Sequence, residues 1–216
     1  MWIYEKKLQF PIDVKSKDLK FAKTLIAQYG GPAGELTACL QYLNQRFTMP
    51  TGQTRALLTD IGTEEIGHLE MVGTMVYQIM ENASVCELKE AGLDPYYTLH
   101  DHGLFYTDPN GYNWTADYVD GLNDPITDLT ANISAEQKAK QTYEYLMNLA
   151  NGDESLLAPL RFLWQREVVH YQRFGEALET EKEYYNKKKY FCSINFDFVI
   201  KDPVYISLSS YRQTSP

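Results

Sequence analysis

The residues of this chain best suited to chemistry form two copies of one short motif, a glutamate followed three residues later by a histidine. The first copy is Glu65-x-x-His68 and the second is Glu167-x-x-His170. In a helix, side chains three residues apart lie on the same face with Cβ atoms about 5–6 Å apart, so each pair can address one metal ion. The two motifs therefore indicate a metal site made of carboxylates and imidazoles.

Each motif is preceded by a further glutamate at a nearly equal distance. Glu35 lies 30 residues before Glu65, and Glu136 lies 31 residues before Glu167. Residues equally far from the turn of an antiparallel helical hairpin lie at the same height, and the two midpoints fall in "TMPTG" and at "NG", which are both turn sequences. All four glutamates and both histidines are therefore expected at one level of a helical bundle.

This set of residues matches the ligands of dimetal bundles, in which a glutamate from each of two helices joins a Glu-x-x-His pair from each of the other two. Four ionised carboxylates in a core would be strongly unfavourable alone, and two divalent cations supply the missing positive charge. The pattern therefore predicts a dimetal centre. Its candidate residues are Glu35, Glu65, His68, Glu136, Glu167 and His170.

The helices that must position these residues are visible as apolar stripes at helical spacing. After a first helical segment the chain has four further helices, which are joined by two short links and one long connection. This outline predicts an all-α fold, a ferritin-like four-helix bundle with a long crossover between helices 2 and 3. The helical segments are predicted at Ser16 to Tyr29, Pro32 to about Phe47, about Thr51 to Met80, Pro125 to about Ala150, and about Leu156 to Tyr185.

The crossover, residues 83–122, is predicted to be irregular because it is rich in Asp, Gly, Asn, Pro and aromatic residues. A turn is expected at Asn110-Gly111. We assign residues 1–189 to the bundle domain. Residues 190–216 form an aromatic and β-branched tail, which is expected to be extended.

Glu136 has both a competing interpretation and a competing residue. If its helix began at Ser134, "SAEQ" would be a capping box and Glu136 a first-turn carboxylate favoured by the helix dipole. The apolar stripe over residues 126–133 favours the earlier start at Pro125. Glu144 could replace Glu136 as a ligand, but its neighbours at helical spacing are polar and describe a solvated face. We therefore prefer Glu136.

Two tyrosines and two further histidines have less decisive patterns. Tyr42 and Tyr143 each lie seven residues after an upstream glutamate, where a tyrosine can donate a hydrogen bond to a metal-binding carboxylate or simply pack in the core. His100 and His102 resemble another metal pair. Imidazoles in a wet loop are more often ordinary surface groups, and we interpret these two in that way.

Composition and charge exclude several classes of partner. The net charge is −9 at pH 7, and the basic cluster at residues 187–189 is too short to bind nucleic acid through its phosphates. No uncharged apolar run reaches the length of a membrane span, and the N-terminal segment lacks the apolar region of a signal peptide. Three cysteines without a C-x-x-C pair are typical of a reducing, cytoplasmic origin.

With these features the chain resembles the manganese catalases, and most closely their shorter spore-coat type. Besides the repeated glutamate pattern, the resemblance lies in "YGGPAGELTACLQYLNQRF", "LLTDIGTEEIGHLEM" and "LRFLWQREVVHYQRF". The crossover sequence "DPNGYNWTADYVDG" also looks like the Asn-Gly and Trp signature of the family. The similarity runs from the N-terminus to about residue 183.

The resemblance implies a role for each candidate residue. One manganese ion would be held by Glu35, Glu65 and His68, and the other by Glu136, His170 and the shared Glu65. Glu167 would stay off the metals as a proton acceptor, which leaves an open coordination position beside it. Iron is a possible alternative because nitrogen and oxygen donors bind it more tightly than manganese.

The implied activity is disproportionation of hydrogen peroxide to water and oxygen, which needs no outside reductant. The competing functions are a di-iron peroxidase of rubrerythrin type, a ferroxidase or iron store, and a structural coat protein whose metals only staple the bundle. The absence of C-x-x-C pairs removes an in-chain rubredoxin module.

The resemblance also implies partners and a location. Expected partners are hydrogen peroxide, further copies of the chain and spore-coat proteins, without nucleic acid or membrane. Expected localisation is synthesis in the cytoplasm followed by assembly into the spore coat. We treat the aromatic tail as a hypothetical contact surface for those protein partners.

Overall fold

The computed structural model describes residues 7–188, and within that range the regular structure is helical apart from an isolated bridge between Thr107 and Asn113. A short 3-10 helix covers Ala116–Tyr118. The α-helices are α1 Leu19–Gly30, α2 Glu35–Gln45, α3 Gly52–Met80, α4 Val85–Glu90, α5 Asp94–His100, α6 Pro125–Leu149 and α7 Glu154–Lys188.

The long helices pack as a four-cornered bundle, as predicted. The helices α1 and α2 follow one another around a tight turn, and each contacts both α3 and α6. The other contacts within the bundle pair α6 with α7 and α3 with α7. The first corner is therefore filled by α1 and α2 in succession, and the other corners by α3, α6 and α7.

Side-chain caps explain where three of these helices begin. The carboxylate of Asp18 accepts from the Phe21 N–H at the start of α1, and the Thr51 hydroxyl accepts from the Thr54 N–H at the start of α3. Asp124 caps α6, and Pro125 is its first residue. Because α6 begins there, its centre contains Glu136, and the capping-box interpretation of "SAEQ" is wrong.

The second helix begins three residues later than predicted. Pro32 does not open it, because residues 31–34 form a tight turn on the end of α1. In that turn the Gly31 N–H donates to the Ala27 carbonyl at 3.1 Å, and the Gly34 N–H donates to the Gly31 carbonyl at 3.1 Å. Helical geometry resumes only at Glu35, which is the first residue of α2.

The crossover is more ordered than predicted, since α4 and α5 occupy its first part. Ser84 and Glu87 form a capping box at the start of α4, and Pro95 lies in the first turn of α5. The prediction of an irregular segment was wrong here, because it was based on the polar and aromatic composition and did not use these helix-start signals. The turn at Asn110-Gly111 is present, with Gly111 at a φ of 87°.

The core consists of two apolar clusters with a polar layer between them. One cluster is formed by α1, the second half of α3, the end of α6 and the start of α7, with Met75 and Leu160 among its members. The other is formed by α2, the start of α3, the start of α6 and the later part of α7, with Leu58 and Phe174 among its members. The candidate metal residues lie between these clusters along the bundle.

Every helix in the described part of the chain is too short or too polar to cross a bilayer. The predicted extended tail, residues 190–216, lies outside the described residues.

Candidate metal centre

All six candidate metal residues are in the polar layer, and none of them is more than 2% exposed. The helix α2 supplies one glutamate, α6 supplies another, and α3 and α7 each supply a Glu-x-x-His pair. The residues brought into this layer are Glu35, Glu65, His68, Glu136, Glu167 and His170.

The two Glu-x-x-His pairs meet across the bundle. One ligand atom from each of Glu65, His68, Glu167 and His170 lies within 4.8 Å of the others, although the pairs are about a hundred residues apart in sequence. The imidazole rings stack with centroids 5.6 Å apart. Glu35 and Glu136 lie at the same level, with Oε2 of Glu35 3.8 Å from Nδ1 of His68 and Oε2 of Glu136 3.6 Å from Nδ1 of His170, as the equal-height argument from the two turns predicted.

Both histidines present Nδ1 to the carboxylates. The Nδ1 atom of His68 is 2.7 Å from Oε2 of Glu65 and 3.6 Å from Oε1 of Glu167. The Nδ1 atom of His170 is 2.8 Å from Oε1 of Glu65 and 3.6 Å from Oε2 of Glu136. Glu65 thus turns one oxygen toward each histidine, which is the arrangement a carboxylate needs to bridge two metal ions.

Several atoms that face into this layer have no hydrogen-bond partner. They include Oε1 of Glu65, Oε2 of Glu136, Oε1 of Glu167 and Nδ1 of His170. Nδ1 of His170 is close to Oε1 of Glu65, but the two groups lack hydrogen-bond geometry, so both atoms remain without a hydrogen-bond partner. Each unsatisfied buried group costs about 1–3 kcal/mol. Oxygen and imidazole donors left open in this way fit divalent manganese or iron.

The electrostatics of the layer show how strongly it favours added positive charge. Burial raises the pKa of Glu35 and Glu167 well above the usual range, and the nearby charge of Glu65 raises both further. Burial also opposes charge on the histidines, but Glu65 and the other carboxylates around them together outweigh it and raise the pKa to about 10 for His68 and about 12 for His170. Without metal, protons supply the compensating charge that divalent cations can replace.

The two tyrosines connect the sequence repeats crosswise. The Tyr42 hydroxyl donates to Oε1 of Glu136, and the Tyr143 hydroxyl donates to Oε1 of Glu35. Both phenols are buried, and burial raises the pKa of each well above 10. The tyrosines therefore stay protonated as donors, and each one orients the glutamate of the other repeat.

Comparison with known proteins places this geometry in a family. A sequence model of the family described as "Manganese containing catalase" matches residues 1–189. The chain belongs to this family. It is also 51% identical over 191 residues to Protein CotJC of Bacillus subtilis (strain 168), a match that covers 88% of this chain and 100% of that protein.

Solved structures agree with this assignment. KatB, a manganese catalase from Anabaena PCC7120, matches with a TM-score of 0.77 and 33% identity, over 99% of this chain and 94% of that chain. A dodecameric thioferritin from Bacteroides fragilis matches with a TM-score of 0.51 and 17% identity, over 84% of this chain and 94% of that chain, which shows a shared fold alone. The ferritin-like bundle, the resemblance to manganese catalases and the expected manganese cofactor are confirmed.

One residue at this candidate metal centre was missed by the sequence analysis. Glu64 lies on the far side of both histidines, with Oε2 3.0 Å from Nε2 of His170 and Oε1 3.7 Å from Nε2 of His68. The guanidinium group of Arg166 donates two hydrogen bonds to the same carboxylate, at 2.6 and 3.1 Å, and the Gln9 amide donates one at 2.7 Å. Burial opposes its charge, but these donors hold the pKa of Glu64 well below its usual range. The spacing of four residues between Glu64 and His68 was the available signal.

The rejected candidates lie elsewhere. Glu144 accepts hydrogen bonds from Lys140, Gln141 and Trp164 on the partly exposed side of α6, outside the metal layer. The two ring nitrogens of His102 contact the Asp101 carboxylate and the Ala83 carbonyl. His100 closes α5 and stacks on Phe105 at 4.2 Å, so it is a packed residue rather than a wet loop group.

A narrow pocket leads from the surface to the metal layer. Its volume is about 80 Å³, and it lies between α2, α6 and the crossover. Exposed Asp120 and Lys138 line its outer part, and buried Glu35, Glu136 and Glu167 line its inner part. A small molecule that enters this pocket reaches three carboxylates of the centre.

Proposed function

We propose that this protein disproportionates hydrogen peroxide to water and oxygen at a dimanganese centre. The observation that supports this most directly is the buried set of inward-facing donors without partners, in a chain that belongs to the manganese catalase family. The proposed metal ligands are Glu35, Glu65, His68, Glu136 and His170.

When bound, the two manganese ions supply the reversible two-electron change that lets one peroxide be reduced and the next be oxidised. The protein supplies positioning, exclusion of water and proton transfer. Glu65 faces both histidines and is proposed to be shared between the metals. The apolar clusters on both sides of the layer keep bulk water away from these residues.

Glu167 is proposed to hold and move the protons. Its Oε1 atom is buried without a hydrogen-bond partner, and the carboxylate lines the inner end of the pocket. Burial raises the pKa of Glu167, and the neighbouring glutamates raise it further. A carboxyl group with a raised pKa is suited to take a proton from an entering peroxide and return it to the departing product.

The decisive experiment measures oxygen evolved per peroxide consumed by the manganese-loaded protein, with no reductant present. One oxygen for every two peroxides is expected. Peroxide loss without oxygen would instead support a di-iron type peroxidase or a ferroxidase, and no loss at all would support a structural coat protein whose metals staple the bundle.

We also propose that copies of the chain assemble with each other and that the assembly is deposited in the spore coat after cytoplasmic synthesis. Large apolar side chains on the surface support such contacts, including Phe47, Leu99 and Tyr112. The support for a coat location is the similarity to the spore-coat type. Light scattering on the purified protein and fractionation of producing cells would test the two parts separately.

A further inference from the structure

The helix α2 has a buried polar stripe in addition to the residues that it contributes to the metal layer. The stripe consists of Thr37, Gln41 and Gln45, which follow one another at intervals of four residues and are at most 6% exposed. Residues four apart lie on one face of a helix. Buried polar side chains need partners, and these three find them mainly in the crossover.

Four hydrogen bonds from this stripe form a closed ring around the backbone of Asp120. The Asp120 N–H donates to Gln41 at 2.9 Å, and the Gln41 amide donates to Asn132 of α6 at 2.8 Å. Asn132 in turn donates to Gln45 at 2.6 Å, and Gln45 donates to the Asp120 carbonyl at 2.8 Å. The ring therefore ties one residue of the crossover to α2 and α6 at once.

The backbone also determines which way each amide in the ring must face. The Asp120 N–H can only donate, so Gln41 must present its oxygen to it. The Asp120 carbonyl can only accept, so Gln45 must present its nitrogen. The nitrogen of Gln41 and the oxygen of Gln45 are then left, and Asn132 accepts from the first and donates to the second. No amide can flip without breaking two of the four bonds, which makes the ring rigid.

A second set of hydrogen bonds attaches the crossover to the bundle at Trp114, six residues before Asp120. The indole N–H of Trp114 donates to the Thr37 hydroxyl at 2.9 Å, and that hydroxyl donates to the Gly31 carbonyl at 3.3 Å. Tyr118 lies between these two attachments and packs edge-on against Trp114. Residues 114–120 are therefore attached to the bundle at both ends.

This attached segment borders the pocket that reaches the metal layer. Tyr118 and Asp120 line the pocket together with small residues of α2 and α6, including Ala38, Ala135 and Ala139. Its volume of about 80 Å³ compares with about 30 Å³ for each water molecule in the liquid. Pockets for larger organic ligands begin at about 300 Å³.

We propose that the amide ring around Asp120 makes residues 114–120 a rigid lip that selects ligands by size. Molecules of two or three heavy atoms, such as hydrogen peroxide and azide, pass the lip and reach the carboxylates. Organic peroxides and aromatic carboxylates do not. The identity of hydrogen peroxide as substrate rests on the proposed function, whereas the size limit rests on the pocket and the ring.

The test compares binding of azide and benzoate to the manganese-loaded full chain, followed by the electron paramagnetic resonance of the metals. Asn132→Ala and Gln45→Ala each remove two bonds of the ring without changing a residue that lines the pocket. In the unchanged protein we expect azide to perturb the signal and benzoate to have no effect. In both variants we expect benzoate to bind at least tenfold more tightly, while azide affinity changes less than threefold.

Gln141→Ala, outside the ring and the pocket, is the matched control and should behave as the unchanged protein.

Benzoate binding as readily as azide to the unchanged protein would overturn the proposal. So would ring variants that keep their circular dichroism and manganese content and still exclude benzoate. Ala135→Leu provides a test that does not depend on the ring variants folding, because it fills the pocket wall and should weaken azide binding at least tenfold. Unchanged azide affinity in that variant would also overturn the proposal. If no oxygen is evolved but the variants still admit benzoate, the catalase function fails and the size limit stands.

Discussion

Tyr143 of α6 donates its hydroxyl hydrogen bond to Glu35 of α2, the glutamate of the opposite sequence repeat. Tyr42 of α2 makes the reciprocal bond to Glu136 of α6. The two repeats are therefore held together at the metal layer by a pair of crossed phenol–carboxylate bonds. Each proposed ligand that is not part of a Glu-x-x-His motif is oriented in this way.

Removing one of these phenols should weaken metal binding without unfolding the bundle. In Tyr143→Phe the ring still packs in the core, but Glu35 loses a buried donor. Loss of such an outer partner typically lowers metal affinity about 10–100-fold, and we expect a loss of that size. Isothermal titration with manganese measures it. Tyr145→Phe, on the exposed side of the same helix, should change nothing, and equal affinities in the two variants would contradict the proposed role.

Glu64 should determine how tightly both histidines hold their metals. Glu64→Gln removes the negative charge and turns one acceptor oxygen into an NH2 donor, so the bond from His170 at 3.0 Å and the two bonds from Arg166 cannot all be kept. We expect manganese affinity to fall about 10–100-fold, as is usual when the carboxylate behind a metal-binding histidine is removed. The control is Glu144→Gln, which alters a partly exposed ion pair of α6. Manganese content after dialysis distinguishes the two, and identical retention would exclude this role for Glu64.

Glu167→Gln should separate proton transfer from metal binding. The amide has the same size as the carboxyl group, so the packing of the layer is retained, but it cannot exchange a proton. We expect both manganese ions to remain bound while oxygen evolution falls about 100–10,000-fold, the usual range for loss of a general acid–base group. Metal analysis and an oxygen electrode report the two properties independently. Loss of manganese in this variant would make Glu167 a ligand instead.

The close approach of the crossover to the end of α1 should make Gly30 intolerant of any side chain. A Cβ atom at this position would lie 2.4 Å from the backbone nitrogen of Thr107. The backbone of Thr107 cannot move aside as the end of a flexible side chain could. We therefore expect Gly30→Ala to lower the free energy of unfolding by about 1–3 kcal/mol. Gly175→Ala in α7, where a Cβ meets nothing within 4 Å, should instead raise it by about 0.5–1 kcal/mol. Urea unfolding of both variants measures the two changes in the free energy of unfolding, which should have opposite signs. Equal changes would show that the contact between residue 30 and Thr107 is easily relieved.

Local spacing was enough to predict α1, α2, α3, α6 and α7 and the level of the metal layer, although it missed α4 and α5 in the crossover. The i, i+3 relationship between Glu65 and His68 is determined by helix geometry whatever the rest of the chain does. The two turns then set the heights of Glu35 and Glu136, because short links leave an antiparallel hairpin little freedom of register. The start of α6 followed from Asp124 and Pro125, which are adjacent in sequence.

Contacts between helices were decided by the tertiary structure. The crossing of Tyr143 to Glu35, the position of Glu64 behind both histidines and the ring around Asp120 join residues up to 108 positions apart. These contacts depend on how each helix is rotated about its axis and on where the crossover crosses the bundle. A single sequence determines which face of a helix is buried. Only the packed structure determines which buried polar groups meet, because each must find its partner on a neighbouring element.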